Sequence, residues 1–124
     1  MRRKTIIVKS MFTIVRKALL APNIYLMEIE ARRVAESAEP GQFIIVRTDE
    51  KGERIPLTIA DYDRARGTVT IVIQTIGAST RKLCAIEEGG TILDFVGPLG
   101  RPSDLVEMSD AELAEKRIIF IGGG

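Results

Sequence analysis

Two short stretches of the sequence hold residues suited to binding a flat, anionic ligand. In residues 54–61, large apolar residues alternate with small ones. The large ones are Ile55, Leu57 and Ile59, and the small ones are Pro56, Thr58 and Ala60. An extended strand would place the small residues together on a nearly flat face that carries one hydroxyl, against which a planar ring could lie. The alternative is an ordinary edge strand whose proline prevents pairing with other chains.

The second stretch is Gly-Ala-Ser-Thr at residues 77–80, directly before a segment with helical spacing. Leu83 and Ile86 lie three residues apart, which predicts a short helix over residues 81–88 that begins near Ser79 or Thr80. Free backbone N–H groups, the helix dipole and two hydroxyls at such a start suit a phosphate. The alternative is that Ser79 or Thr80 only caps the helix. Together, a ring-sized face and a phosphate site describe a flavin nucleotide.

Composition excludes several other kinds of chemistry. The chain has 124 residues, a formal charge of +1, no histidine and one cysteine. Histidine-based triads and histidine metal sites are therefore excluded within it, and Cys84 alone forms neither a disulfide nor a metal or cluster site. The charge balance gives no nucleic-acid footprint. No apolar run has membrane-spanning length, and the basic start is too short for a signal peptide, so we expect a cytoplasmic protein.

The elements that must position the two stretches are mostly strands. Alternation and turn residues predict strands over residues 5–10, 12–20, 24–32, 43–47, 54–61, 68–76 and 91–96. A hairpin is expected across residues 21–23, a charged turn over residues 49–52, and a helix stop at Gly89 and Gly90. Short strands at near-regular spacing indicate a barrel or sandwich. Ser109 and Glu112 are spaced as a capping box, which predicts a turn of helix over residues 109–115.

The last segment has a different character. Residues 117–121 are a continuous apolar run followed by three glycines, a pattern typical of the first strand and turn of a dinucleotide-binding unit. We therefore expect residues 1–102 to form one β domain, and residues 103–124 to be a linker with the first strand and glycine turn of a truncated NAD(P)-binding domain. The alternative is a tail strand added to the barrel, with a glycine tag or scar.

Four segments carry a resemblance to a known family. They are residues 41–47, 54–61, 74–77 and 94–100, and they include the Ile-Pro-Leu-Thr and Gly-Pro-Leu-Gly sequences. Nearly the whole chain resembles the FAD-binding domain of the ferredoxin–NADP reductase superfamily. More narrowly, it resembles the small subunit of NADH-dependent ferredoxin:NADP oxidoreductase, also called sulfide dehydrogenase. The resemblance implies an all-β fold: a six-stranded antiparallel Greek-key barrel with one capping helix, followed by the first strand of a truncated α/β nucleotide-binding domain.

The resemblance also implies a set of cofactor-binding residues. Pro56, Leu57 and Thr58 would line the isoalloxazine ring, with Thr58 near flavin N5. Gly77, Ser79 and Thr80 would hold the diphosphate. Ile73, Gln74 and Thr75 would lie beside the ribityl chain, mainly through backbone groups. The family often has an arginine three residues before the hydroxyl residue, but that position is Ile55 here and the arginine is Arg54, so Arg54, Arg47 and Arg81 are the candidate cations.

Further implications concern the partners and the reaction. The resemblance implies FAD here, and NAD(P)H and a [2Fe–2S] cluster in full-length relatives whose sites this chain lacks. Residues 97–100 would form the floor between flavin and nicotinamide. Neither a catalytic side chain nor a metal ligand is predicted, and Cys84 is expected to be a small helix residue.

The implied partners are a large iron–sulfur flavoprotein subunit, similar to the small subunit of glutamate synthase, and ferredoxin. The predicted function is therefore that of an electron-transfer flavoprotein subunit that moves electrons between NAD(P)H and iron–sulfur partners. This fragment would be inactive alone. Two alternatives remain, namely a dihydroorotate dehydrogenase electron-transfer subunit and a non-catalytic β-barrel interaction module.

Overall fold

Two antiparallel sheets form the architecture of this computed structural model, which describes residues 11–123. Within them, the strands are β1 (Phe12–Ala21), β2 (Ile24–Glu30), β3 (Phe43–Arg47), β4 (Ile55–Thr58), β5 (Asp61–Asp63), β6 (Thr68–Gln74), β7 (Thr91–Ile92) and β8 (Asp94–Leu99). The helices are α1 (Arg32–Ser37), α2 (Ala78–Cys84), a 3₁₀ turn (Asp104–Glu107) and α3 (Asp110–Ala114). The strand predicted over residues 5–10 lies outside the described residues.

The larger sheet has the strand order β5-β6-β2-β1-β7 and the smaller one β4-β3-β8. β1 and β2 form the predicted hairpin, and β2 pairs with β6 in continuous register from Ile24 opposite Gln74 to Glu30 opposite Thr68. The all-β, antiparallel prediction is confirmed, although no closed barrel is found within residues 11–123. A backbone hydrogen bond of 2.9 Å from Ala60 to Thr70 joins the segment after β4 to the larger sheet.

Two predicted strands are each divided between the sheets. Residues 54–61 supply β4 to the small sheet, and Asp61 then begins β5 in the large one. In the same way, Thr91–Ile92 pairs with β1, and from Asp94 onward the chain pairs with β3. Short strands that change sheets in this way are how an antiparallel fold turns a corner. The sequence shows the apolar alternation of such segments but not the point at which they change partners.

The core lies between the sheets because the alternating side chains of several strands point inward together. Ile71 and Ile73 of β6, Met27 and Ile29 of β2 and Ile44 of β3 are at most 1% exposed. Burial of a side chain of this size contributes about 1.5–3 kcal/mol to folding. Strand β4 and helix α2, which border the candidate site described below, both pack on this core.

Helix α1 is not predicted from the sequence, whose pattern indicates a strand over residues 24–32 and one capping helix later in the chain. β2 ends at Glu30 and α1 begins at Arg32. The buried residues of this region are Ala31, Val34, Ala35 and Ala38. Their spacing of three, four and seven residues is that of one helix face. The signal was present but weak, because alanine is small and the helix has only six residues.

The ends of α2 and the last segment differ from prediction. α2 begins at Ala78 and ends at Cys84, earlier than expected at both ends. Gly89 and Gly90 lie beyond it and exchange backbone hydrogen bonds of 2.8 and 2.9 Å with Ile14 of β1. The strand predicted over residues 117–121 was wrong: these residues form no strand, and Ile119, Phe120 and Ile121 are more than 80% exposed. A strand requires a hydrogen-bonded neighbour, and none pairs with it in the described residues. The domain boundary at residue 102 stays a prediction.

Candidate functional site

The edge strand β4 holds one side of the candidate site. β4 pairs with β3, with Leu57 opposite Ile44 and Pro56 opposite Ile45. Ile55 and Leu57 are half-buried against the core, whereas Pro56 and Thr58 are exposed. The outer position in its sheet explains why a proline is tolerated, because Pro56 has no N–H to donate to a further strand. The predicted alternation is confirmed over Ile55–Thr58, and so is the predicted edge position.

The turn into α2 holds the other side, and Thr80 fixes its shape. The Thr80 hydroxyl oxygen accepts hydrogen bonds of 3.0 Å from the backbone N–H groups of Ile76 and Gly77, and it lies 3.0 Å from the Gly77 carbonyl oxygen. These contacts use the whole hydrogen-bonding capacity of the hydroxyl, since it has one proton to donate and two lone pairs to accept with. Thr80 therefore caps the turn from the third position of the helix, whereas the alternative prediction had Ser79 or Thr80 as the N-cap, a position that Gly77 occupies.

The two sides meet in an open cleft of about 470 Å³. Its lining comes from the residues before and within β4 and from the turn into α2. The lining residues are Glu53, Arg54, Ile55, Pro56, Ile76, Gly77, Ala78, Ser79 and Thr80. Five of the ten predicted cofactor-binding residues are among them, namely Arg54, Pro56, Gly77, Ser79 and Thr80. The cleft brings together the two stretches that the sequence singled out.

The Ser79 hydroxyl is engaged within the cleft. It donates a hydrogen bond of 2.7 Å to the carboxylate of Glu53, which also lines the cleft. A second cleft of about 210 Å³ adjoins the first and shares Glu53, Ile55, Ala78 and Ser79 with it. The Glu53–Ser79 contact therefore stands where the two clefts meet, and it ties the loop before β4 to α2.

A second polar contact joins the same loop to α2. Lys82 forms an ion pair with Asp49, 2.5 Å between Nζ and Oδ2. The hydrogen bond from Lys82 lowers the pKa of Asp49 from its ordinary value of 3.8, although 48% of the Asp49 side chain is exposed. Because water screens exposed charges, the pair adds little stability, and it serves mainly to orient the two segments.

The other predicted site residues lie outside the cleft lining. Leu57 points to the core, and Thr58 is exposed farther along the same face as Pro56. Ile73 is 1% exposed, so only its backbone could contact a ligand, and that backbone pairs with Tyr25. Gln74 is exposed, and Thr75 donates to the Asn23 carbonyl oxygen from its N–H at 2.8 Å. Their predicted contacts with a cofactor stay predictions.

The structure separates the three candidate cations. Arg47 forms an ion pair of 2.7 Å with Asp94 across β3 and β8. Arg81 lines a different depression, beside Asn23 and Tyr25. Arg54 lines the cleft, and within residues 11–123 it has no ion pair. It precedes β4 rather than belonging to it, so the strand's alternation does not fix the face on which its side chain lies. Arg54 is the cation available to the cleft.

The Gly-Pro-Leu-Gly sequence forms the end of β8 in the small sheet, and its last glycine, Gly100, follows the strand. Gln42, 8% exposed, accepts from the Glu39 N–H at 3.0 Å and donates to the Gly100 carbonyl oxygen at 3.0 Å. Leu99 and Thr58 both lie opposite Phe43, on either side of β3. Gly97 lines another groove, of about 590 Å³, beside α1 and Phe12. The predicted role of residues 97–100 as a floor for the flavin stays a prediction.

Cys84 lies in the core on α2, 4% exposed, and burial raises the pKa of its thiol above 9.0. Within residues 11–123, no three His, Cys, Asp or Glu side chains are grouped so that they could hold a metal ion. The helices of the described part are all too short or too polar to cross a bilayer.

Four residues that line the cleft are absent from the predicted cofactor-binding set, namely Glu53, Ile55, Ile76 and Ala78. Ile76 is 75% exposed at the cleft, although it ended a predicted strand. Glu53 lies between the charged turn predicted over residues 49–52 and the strand predicted over residues 54–61, and no prediction concerns it. A carboxylate repels an anionic ligand, so a search for phosphate-binding residues does not select a glutamate. Its contact with Ser79 is visible only in the folded chain.

Comparison with known proteins gives matches over nearly the whole chain. It is 59% identical over 114 residues to an uncharacterised protein from the adh 3′ region of Clostridium beijerinckii, covering 92% of this chain and 38% of that one. It is 40% identical over 111 residues to a Thermotoga maritima homologue of the electron-transfer subunit of dihydroorotate dehydrogenase B (NAD⁺), and the match covers 90% of this chain and 37% of that one. The chain thus spans under half the length of these relatives. No family model matches the chain.

Solved structures agree on the fold. The structure of an NADH-dependent reduced ferredoxin–NADP oxidoreductase, described for flavin-based electron bifurcation, is 43% identical with a TM-score of 0.75, covering 77% of this chain and 34% of that one. Phthalate dioxygenase reductase aligns with a TM-score of 0.56 at 17% identity, covering 67% of this chain and 27% of that one, and supports the fold alone.

Proposed function

We infer that this chain, which shares sequence and fold with electron-transfer subunits of the ferredoxin–NADP reductase superfamily, is the FAD-binding domain of such a subunit. The whole protein would move electrons between NAD(P)H and iron–sulfur partners. The observation that carries the proposal is the cleft in which Arg54 and Pro56 face Gly77 and Ser79. Its support from comparison is the 43% identity to the ferredoxin–NADP oxidoreductase.

The residues of the cleft suit a flavin nucleotide. Gly77 has an extended backbone, and a Cβ built on it would meet no atom within 4 Å, so the fold itself does not require a glycine there. A ligand that approaches the backbone closely would explain why this residue is a glycine, because a side chain would stand in its way. The first N–H groups of α2 have no helical partner, and Arg54 adds a positive charge. These groups could hold the diphosphate.

The face formed by Pro56 and Thr58 would support the ring system. Both side chains are exposed, and the neighbouring Ile55 and Leu57 pack on the core, which anchors the strand that carries the face. The Thr58 hydroxyl would donate to or accept from the polar edge of the ring. When bound, FAD would supply hydride and single-electron transfer, and the protein would bind it, orient it and tune its electronics. No acid–base side chain is assigned.

A binding experiment tests the proposal. The chain is saturated with FAD and desalted, and its visible absorption spectrum is recorded beside an equilibrium titration that follows flavin fluorescence. We expect saturable quenching and flavin bands that remain with the protein. A chain that leaves flavin fluorescence unchanged at high protein concentration would favour the non-catalytic interaction module.

A second candidate has its own support. Several relatives of 30–40% identity are named electron-transfer subunits of dihydroorotate dehydrogenase B. This assignment shares FAD and NAD(P)H chemistry with the first and differs in the partner. Mass spectrometry of the complex isolated from native cells would separate them. An iron–sulfur flavoprotein resembling the small subunit of glutamate synthase, with ferredoxin as acceptor, supports the first, and a dihydroorotate-oxidising subunit supports the second. A cytoplasmic location belongs to both proposals.

A further inference from the structure

Ser79 can serve one acceptor at a time. A serine hydroxyl has a single proton, and here that proton is directed to Glu53, 2.7 Å away. A phosphate oxygen placed at Ser79 would need the same proton. The arrangement therefore makes Glu53 and a phosphate group competitors for one donor.

The charge of Glu53 strengthens this competition. The charged residues that line the two clefts beside it are Arg54 in the first and Lys51 and Lys82 in the second. Lys82 is paired with Asp49, and within residues 11–123 no ion pair involves Glu53. Its carboxylate is held by a neutral hydroxyl, so its negative charge acts on whatever enters the cleft.

We propose that Glu53 is a specificity residue of the cleft, whose carboxylate, bound to Ser79, opposes phosphate-bearing flavins and leaves phosphate-free flavin unaffected. The inference rests on the proposed function and deepens it. Binding of FAD requires Ser79 to release Glu53, and the affinity for FAD is lower than the cleft would otherwise give.

The test compares two ligands that share a ring and differ in phosphate. Dissociation constants for FAD and riboflavin are measured by flavin fluorescence with the 124-residue chain, Glu53→Gln and Glu53→Ala. Both substitutions remove the charge, and the glutamine keeps an acceptor. We expect FAD to bind about fivefold more tightly to each variant, as for removal of one exposed like charge. Riboflavin should change by less than about twofold.

The matched control is Glu36→Gln, because Glu36 is exposed on α1 and lines neither cleft. It should leave both constants unchanged, and thermal unfolding should report all variants as folded. If the unmodified chain binds FAD and either Glu53 variant binds it equally or more weakly, the inference is overturned and the proposed function stands. Equal tightening for both ligands also overturns it. No flavin binding by the unmodified chain overturns the proposed function and the inference with it.

Discussion

The turn at Gly41 and the turn at Gly77 place different demands on their glycines. Gly41 has φ +95°, and a Cβ built there would lie 2.9 Å from the backbone nitrogen of Ser103, which itself donates to the Pro40 carbonyl oxygen at 2.7 Å. Gly77 has φ −150°, and a Cβ there would meet open space. The first glycine is required by the fold. The packing around the second does not require one, and close approach of a ligand to the backbone is the proposed reason for its presence.

This difference separates a glycine that the fold requires from one that borders a cleft. Around Gly41, the buried Gln42 is hydrogen-bonded to the Glu39 N–H and to the Gly100 carbonyl oxygen, and the Ser103 N–H donates to the Pro40 carbonyl oxygen. Around Gly77, the backbone borders a cleft. Both stretches attract attention in the sequence as glycine-containing turns, and only the space around each glycine distinguishes them.

The largest effect is expected from Gly41→Ala. The substitution adds a Cβ that collides with backbone and forces alanine into a left-handed conformation, which costs about 1–3 kcal/mol. Urea denaturation should show this loss. Gly122→Ala is the control, because a Cβ there meets no atom within 4 Å and should leave the unfolding midpoint in place. An unchanged unfolding midpoint for Gly41→Ala would show that the fold does not require a glycine at residue 41.

The opposite result is expected from Gly77→Ala. Because the added methyl group points into open space, unfolding free energy should fall by less than about 1 kcal/mol, the scale of a lost helix cap. FAD affinity should fall about tenfold, since the methyl group would block close approach of the diphosphate to the backbone. Fluorescence titration measures it. Unaltered FAD affinity would remove the ligand-based explanation of this glycine.

A smaller effect is expected from Thr80→Val, which keeps the side chain's shape and removes its hydroxyl. The N–H groups of Ile76 and Gly77 lose their acceptor, at a cost of about 1 kcal/mol in unfolding free energy. FAD affinity should fall with it, because the turn loses its fixed geometry. Chemical denaturation beside FAD titration measures both. A stability equal to that of the unmodified chain would contradict the capping role.

The smallest effect concerns the ion pair between Asp49 and Lys82, a residue that lines the second cleft. The folded state lowers the pKa of Asp49 below 3.8, so the stabilisation is present above that pH and is lost as pH falls through the lower, folded-state pKa. The stability difference between the unmodified chain and Asp49→Asn should be largest near neutrality and vanish at the acid end. A difference that persists below the folded-state pKa would contradict this origin.

The sequence predicted most of the fold because period-2 alternation marks strands directly. β1, β3 and β6 follow such runs closely. It failed where the structure depends on which strands pair with one another. One such place is Leu93, where the chain passes between the sheets, and another is residues 117–121, which have no neighbouring strand in the described residues. For the site, it predicted the two stretches that meet in the cleft. It did not reveal Glu53, because the contact with Ser79 joins residues 26 apart and no local pattern records it.

Chemical shift mapping tests the central claim most directly. Amide resonances of the ¹⁵N-labelled chain are recorded while FAD is added. The account predicts that the largest shifts occur in residues 53–58 and 76–80, on the two sides of the cleft, with Ala31 and Phe95 in the groove beside α1 unchanged. Shifts concentrated at Ala31 and Phe95, with those at Gly77 and Ser79 absent, would contradict it.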